Sequence, residues 1–193
     1  MNKTIFSKIN NLKSAKKMKF KYLTGFLITN LYRLLRVFPN SDPIMGFVLP
    51  CAKNEKWWKA PLFAFATIFV FDIFTSGIGA WTWVTASTYA TIAFAFHFYM
   101  KKRKSSLITF ISIGTLGTLV FDFLTGPILS TFLFKQPFLV TLVLQIPFTI
   151  MHTLSAIFAI VLITPLLDPT IAKEVNGYYS TFINSLKNWK LQI

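Results

Sequence analysis

The sequence predicts an all-α integral membrane protein of about six spanning helices, the second short or re-entrant, with both termini cytoplasmic. Three observations carry this. Of 193 residues, 54% are hydrophobic and 17% aromatic. Only 13% are charged, against roughly a quarter in an ordinary soluble domain, and a soluble chain of this size has too little interior for so much apolar surface. The apolar residues also fall in runs separated by short basic loops, the pattern that sets orientation in a bilayer.

The elements follow in order. Residues 1–19 form a basic arm with Lys3, Lys8, Lys13, Lys16, Lys17 and Lys19, expected to lie on anionic headgroups. The apolar stretch after it has the outline of a signal peptide, but Arg33 and Arg36 interrupt its end and no small-x-small cleavage site follows. A retained first helix over 20–38 is therefore expected. Segment 43–52 (PIMGFVLPCA) is too short to span and carries Pro43 and Pro50; it reads as a half-helix or re-entrant piece. Further helices are expected over 59–76, 81–100, 106–128 and 137–166. The last exceeds the need of a bilayer and should tilt or bend, with Pro147 as a hinge. The membrane domain thus covers 20–166. The tail, 167–193, sets Tyr178, Tyr179, Phe182 and Leu186 on one face suited to the cytoplasmic interface.

The basic residues of the loops agree on one orientation, with Arg33 and Arg36, near the outer end of the first helix, as the exception. With the N-terminus inside, Lys53, Lys56 and Lys59 fall in one inner loop and Lys101, Lys102, Arg103 and Lys104 in the next. The loops at 39–42, 77–80 and 127–136 fall outside and carry only Lys135. This localises the chain to the cytoplasmic membrane as a multi-pass protein. The net charge of +14 is thus a topology signal in contact with membrane lipids. A nucleic-acid partner would call for a basic stripe on one folded surface.

Chemistry is limited by what the chain lacks. Cys51 is the lone cysteine and the histidines are His97 and His152. No disulfide, metal site or cofactor is expected, and no nucleophile–base set can be assembled, so the chain is not read as an enzyme. An aspartyl intramembrane protease needs two carboxylates that share a proton, and the G-x-G-D signature is absent before Asp122. His97 is expected at the inner interface beside Lys101.

The acids are more informative. Asp72 and Asp122 lie in spanning segments, where an ionisable group faces a cavity or a partner. Each sits in a short repeat, V-F-D-x-x-T, at Val70–Thr75 and Val120–Thr125. Three readings stand. Each Asp lines a site open to the outside with Thr75 or Thr125, pairs with Arg33 or Arg36, or caps the following turn. Ser112, Thr115, Thr118, Asp122 and Thr125 recur at helical spacing, as do Thr141, Gln145, Thr149 and His152. Such stripes face the bundle interior, as helix glue or as a pocket wall, and Gln145 and His152 carry more polar atoms than glue requires. Trp81 and Trp83 follow an outer Gly-rich turn, one suited to the aromatic belt and the other to stacking on a ligand. Asn40 and Asp42 stand at the start of the short second segment, where a helix N-terminus offers free N–H groups.

The stretches PNSDPIMGFVLP (39–50), FDIFTSGIGAWTW (71–83) and FDFLTGPILS (121–130) give a layout that resembles the substrate-binding S component of energy-coupling factor (ECF) vitamin transporters. The resemblance covers 20–166. It implies that outer loops and outer helix halves hold one vitamin-like molecule, with Asn40, Asp42, Asp72, Thr75, Trp81, Asp122 and Thr125 around the pocket. It also implies a transmembrane coupling subunit with ATPases as partner. In place of the family's A-x-x-x-A docking patch, the first helix carries Gly25-x-x-x-Thr29. The expected function is capture of a small vitamin-like substrate, flat or cationic, from the outer face. Trp83, Gln145 and His152 complete the candidate binding residues. The alternative is a structural scaffold of the rod-shape-determining type, which should be filled solid where a transport subunit has its pocket.

Overall fold

The structure, a computed structural model, describes residues 20–36 and 41–190, with side chains of the last helix through 184. The basic arm and Asn40 lie outside these residues. The described residues form helices joined by short turns and loops, with no strand among them. Helix α1 covers 20–35. It is followed by α2 (Ile44–Asn54), α3 (Lys59–Phe74), α4 (Ala80–Lys101) and α5 (Leu107–Phe123). A π-turn (Leu124–Ile128) leads into α6 (Leu129–Phe134), then α7 (Phe138–Leu167) and α8 (Pro169–Lys190). Two continuous helices, Leu107–Phe134 and Phe138–Leu167, are long and apolar enough to cross a membrane. Their outer faces expose Leu116, Leu119, Val143, Leu144, Leu154 and Phe158.

The short second segment is the centre of the fold. Every residue of α2 from Ile44 to Ala52 is buried, enclosed by α3, α4 and α7. IMGFVLPCA has no polar side chain to hold it at a surface, so hydrophobic burial draws it inward on all sides. Two local features allow this. A Cβ on Gly46 would lie 2.7 Å from the Ala159 carbonyl oxygen, so glycine lets α2 and α7 touch backbone to backbone. Pro50 cannot donate to the Gly46 carbonyl four residues back; the Thr164 hydroxyl faces that oxygen at 3.5 Å. At its other end the Ala52 carbonyl bonds His97 Nδ1 at 2.9 Å. His97 is therefore 3% exposed rather than interfacial, because the C-terminus of a buried helix needs a donor.

Helix ends depart from the sequence expectation where the backbone dictates. Helix α1 stops at 35, three residues early, with Arg36 in the left-handed region (φ 48). Gly25 and Thr29 face inward: a Cβ on Gly25 would meet the Phe47 ring at 2.3 Å, and Thr29 is fully buried. Helix α3 ends in a turn in which the Asp72 carbonyl accepts from Thr75 N and Gly77 N, with Gly77 at φ 78. The fifth segment runs on to Phe134 instead of ending at 128. Pro127 has no N–H to donate, and the wider π-turn accommodates the missing bond so that the helix continues. Helix α7 runs through Pro147 and Pro165 as one element.

The tail docks before it leaves the bundle. Asp168 Oδ1 accepts from Thr170 N at 2.8 Å and from Ile171 N at 3.3 Å, while Oδ2 accepts from Asn54 at 3.0 Å. With Pro169 at the first helical position, this is an N-cap built to start α8. Glu174 Oε2 in turn accepts from Leu107 N, at the start of α5, at 2.8 Å. Beyond it, Tyr178, Tyr179 and Phe182 are exposed. Asp168 is 2% exposed, so Asp168→Ala should destabilise the chain by about 1–2 kcal/mol, measured as a lowered melting temperature.

Candidate functional site

A cavity of about 340 Å³ opens between the C-terminal halves of α3 and α5 and the N-terminal halves of α4 and α7. That volume lies at the small end of ligand pockets, which run from about 300 to 1,000 Å³. Its wall holds Asp42, Asp72, Asp122, Arg33 and His152, together with Trp81, Tyr89, Phe121 and Phe148. Three carboxylates thus face one guanidinium and one imidazole across an aromatic-lined space.

The polar floor is a connected network. Asp122 comes from α5 and His152 from α7, and the two elements pack directly. His152 Nδ1 lies 2.8 Å from Asp122 Oδ1; because a carboxylate only accepts, Nδ1 carries the proton. Nε2 of the same ring lies 3.1 Å from the Tyr89 hydroxyl and 3.5 Å from Asp42 Oδ2. Tyr89 donates to that Asp42 oxygen at 3.3 Å. Asp42 Oδ1 accepts from Ile44 N at 3.0 Å, capping α2, and the Ser155 hydroxyl reaches the Asp42 carbonyl at 3.3 Å. The imidazole is therefore gripped at both edges by acids from separate elements, with the Phe121 ring set edge-on to it at 5.9 Å. Buried polar groups are kept only when so satisfied.

Two carboxylates remain available. Asp122 Oδ2 is buried with no hydrogen-bond partner. The Asp72 side chain lines the cavity and has no hydrogen-bond or ion-pair partner among the described residues. Arg33 places its guanidinium 4.1 Å over the Phe71 ring, and its buried Nη1 also lacks a partner. Among the described residues neither Arg33 nor Arg36 pairs with Asp72 or Asp122. The turn after Asp72 is held by its backbone carbonyl rather than its side chain. Pairing with Arg33 or Arg36 and side-chain capping therefore do not account for Asp72 and Asp122; Asp122 pairs instead with His152, while capping does describe Asp42.

Of the candidate residues from the sequence, the structure brings Asp42, Asp72, Trp81, Asp122, Thr125, Gln145 and His152 to one wall. Thr75 and Trp83 are not on it. Both repeat threonines donate to the phenylalanine carbonyl four residues back, Thr75 to Phe71 and Thr125 to Phe121, each at 2.8 Å. The copies diverge afterwards. Thr125 stays in register with Asp122 because the π-turn carries the helix on, whereas Thr75 lies past the end of α3 and is exposed. Trp83 stands about 200° round the helix from Trp81. Its ring packs against Phe69 at 5.2 Å and Phe65 at 6.1 Å on the outer surface. Among the described residues, no group of three or more His, Cys, Asp and Glu is arranged to hold a metal ion.

Sequence reasoning missed Tyr89, and weighed Arg33 only as an ion-pair partner. A signal for Tyr89 exists: Thr82, Thr85 and Tyr89 are buried on one face of α4 at steps of three and four. Gly126 also belongs to the wall, where a Cβ would lie 2.4 Å from Gln145 Oε1. No family model, curated protein or solved structure matches this chain.

Proposed function

We propose that the chain is a membrane-embedded solute-binding subunit of a transporter. It spans the bilayer about six times with both termini cytoplasmic, and captures a small, flat molecule with cationic or hydrogen-bond-donating character from the outer face. The observation that carries this is the cavity itself, where the buried Asp122 Oδ2 has no partner and the Asp72 side chain and Trp81 share the wall. Unsatisfied carboxylate oxygens in a buried wall cost stability unless a ligand donates to them. A ring in Trp81's position adds area without loss of much conformational freedom. The resemblance to ECF S components supports the same function, with an ATPase-linked coupling subunit as partner. A scaffold has no use for this cavity.

The outward Leu, Ile, Val and Phe of α5 and α7, and the basic inner loops, support the membrane setting. The single native cysteine is buried at 1% exposure, so introduced cysteines report topology against a quiet background. Residues 78 and 135 should label from outside and residues 57 and 103 from inside.

The two tryptophans separate binding from anchoring. A thermal-shift screen of vitamin-like amines and heterocycles against the purified chain should yield a stabilising compound. Trp81→Ala should weaken that compound roughly 5–30-fold, as expected for an aromatic contact of about 1–2 kcal/mol, while Trp83→Ala leaves it unchanged. Equal loss in both variants would remove Trp81 from the site.

A further inference from the structure

Resting on that solute-binding function, we infer that the ligand carries an anionic or strongly accepting group at the end opposite its cationic, donating group. The cavity is built for a zwitterion or its hydrogen-bonding equivalent, and Arg33 is the residue that selects it. Two buried side-chain atoms on this wall lack partners and are opposite in character. Asp122 Oδ2 can only accept, and Arg33 Nη1 can only donate.

Their isolation is informative because the wall has the means to cancel it. Arg33 shares the cavity with Asp42, Asp72 and Asp122, yet its guanidinium stands over the Phe71 ring, 4.1 Å from the centroid, and pairs with none of them. His152 is held instead by Asp122 at 2.8 Å and Asp42 at 3.5 Å. Asp42 has both oxygens engaged, by Ile44 N, Tyr89 and His152. The network thus fixes one oxygen of Asp122 and leaves the other without a partner, while Arg33 stands over Phe71 and lines the same cavity. A guanidinium presents paired donors that match a carboxylate or phosphate edge. A ligand with donors alone leaves Arg33 buried and unmatched, which is a selection against it.

The test uses three matched flat probes on the full purified chain: 4-(aminomethyl)benzoate, benzylamine and benzoate, with affinity read from melting-temperature titrations. 4-(Aminomethyl)benzoate should bind more tightly than either single-charge probe, by roughly 10–100-fold, as expected for a charge-assisted pair. Arg33→Gln should bring it down to the level of benzylamine and leave benzylamine itself unaffected; Arg33→Lys should restore part of the difference. Arg33 sits outside the His152 network, so this variant keeps the floor of the cavity intact. Benzylamine binding as tightly as the zwitterion, with Arg33→Gln silent, would overturn the inference and leave a cation-binding subunit standing. Absence of stabilisation by any of the three probes would overturn both.

Discussion

His152→Ala should lower the stability of the folded chain by about 3–5 kcal/mol, the cost of removing one partner from a buried charged set. The ring is 2% exposed, and its loss strands Asp122 Oδ1 and removes the ion-pair contact to Asp42 Oδ2, leaving Tyr89 as the donor to that oxygen. Two acids then face one another across a cavity with only the Tyr89 hydroxyl between them. Thermal unfolding in detergent reads the effect directly. His152→Gln, which keeps a donor toward one of the acids, should lose less than His152→Ala. A shift for His152→Ala no larger than that of an exposed substitution would mean that the network does not hold the bundle together.

Gly46→Val carries the second large effect. Its Cβ would meet the Ala159 carbonyl oxygen at 2.7 Å, and the Ala159 carbonyl carbon and Ile163 Cβ at 3.0 Å. A backbone cannot rotate out of the way as a side chain does, so α2 and α7 must part. Overpacking typically costs about 1–3 kcal/mol, and here the cost should reach the upper end or exceed it. Gly114→Ala is the control. Its Cβ would come within 2.2 Å of Ile160 Cδ1, the tip of a flexible side chain, which can turn aside. Parting α2 from α7 also pulls Asp42 from Ser155 and His152, so Gly46→Val should weaken ligand capture as well as stability. Comparable melting temperatures for the two variants would mean that α2 and α7 are not in backbone contact.

Much of the bundle was legible because helices write their faces plainly in the spacing of their polar residues. The helical spacing that linked Asp122 with Thr125, and Gln145 with His152, is the spacing that puts them on the cavity wall, while Thr118 from the same stripe is buried against the Gly114 carbonyl. Rare intramembrane acids announced Asp72 and Asp122. What stayed hidden depends on backbone detail or on context. The V-F-D-x-x-T repeat made Thr75 and Thr125 look equivalent, and only the fate of the chain after each, a glycine turn or a π-turn around Pro127, separates them. Trp81 and Trp83 divided as a helix requires, but which one faces inward follows from the phase of α4. Tyr89 was lost among the many aromatic residues of α4, where a phenol looks like another belt or core ring. The enclosure of α2 on every side was also invisible. A short apolar segment with two prolines reads equally as re-entrant or central until Gly46 is seen against Ala159.

Native mass spectrometry of gently extracted protein tests the central claim most directly. The wild-type chain should retain a small, vitamin-sized molecule, and Asp122→Ala and Trp81→Ala should lose it while Trp83→Ala keeps it. A wild-type chain that carries no small molecule, and gains no mass when offered the compounds that pass the thermal-shift screen, would contradict a solute-binding function for this cavity.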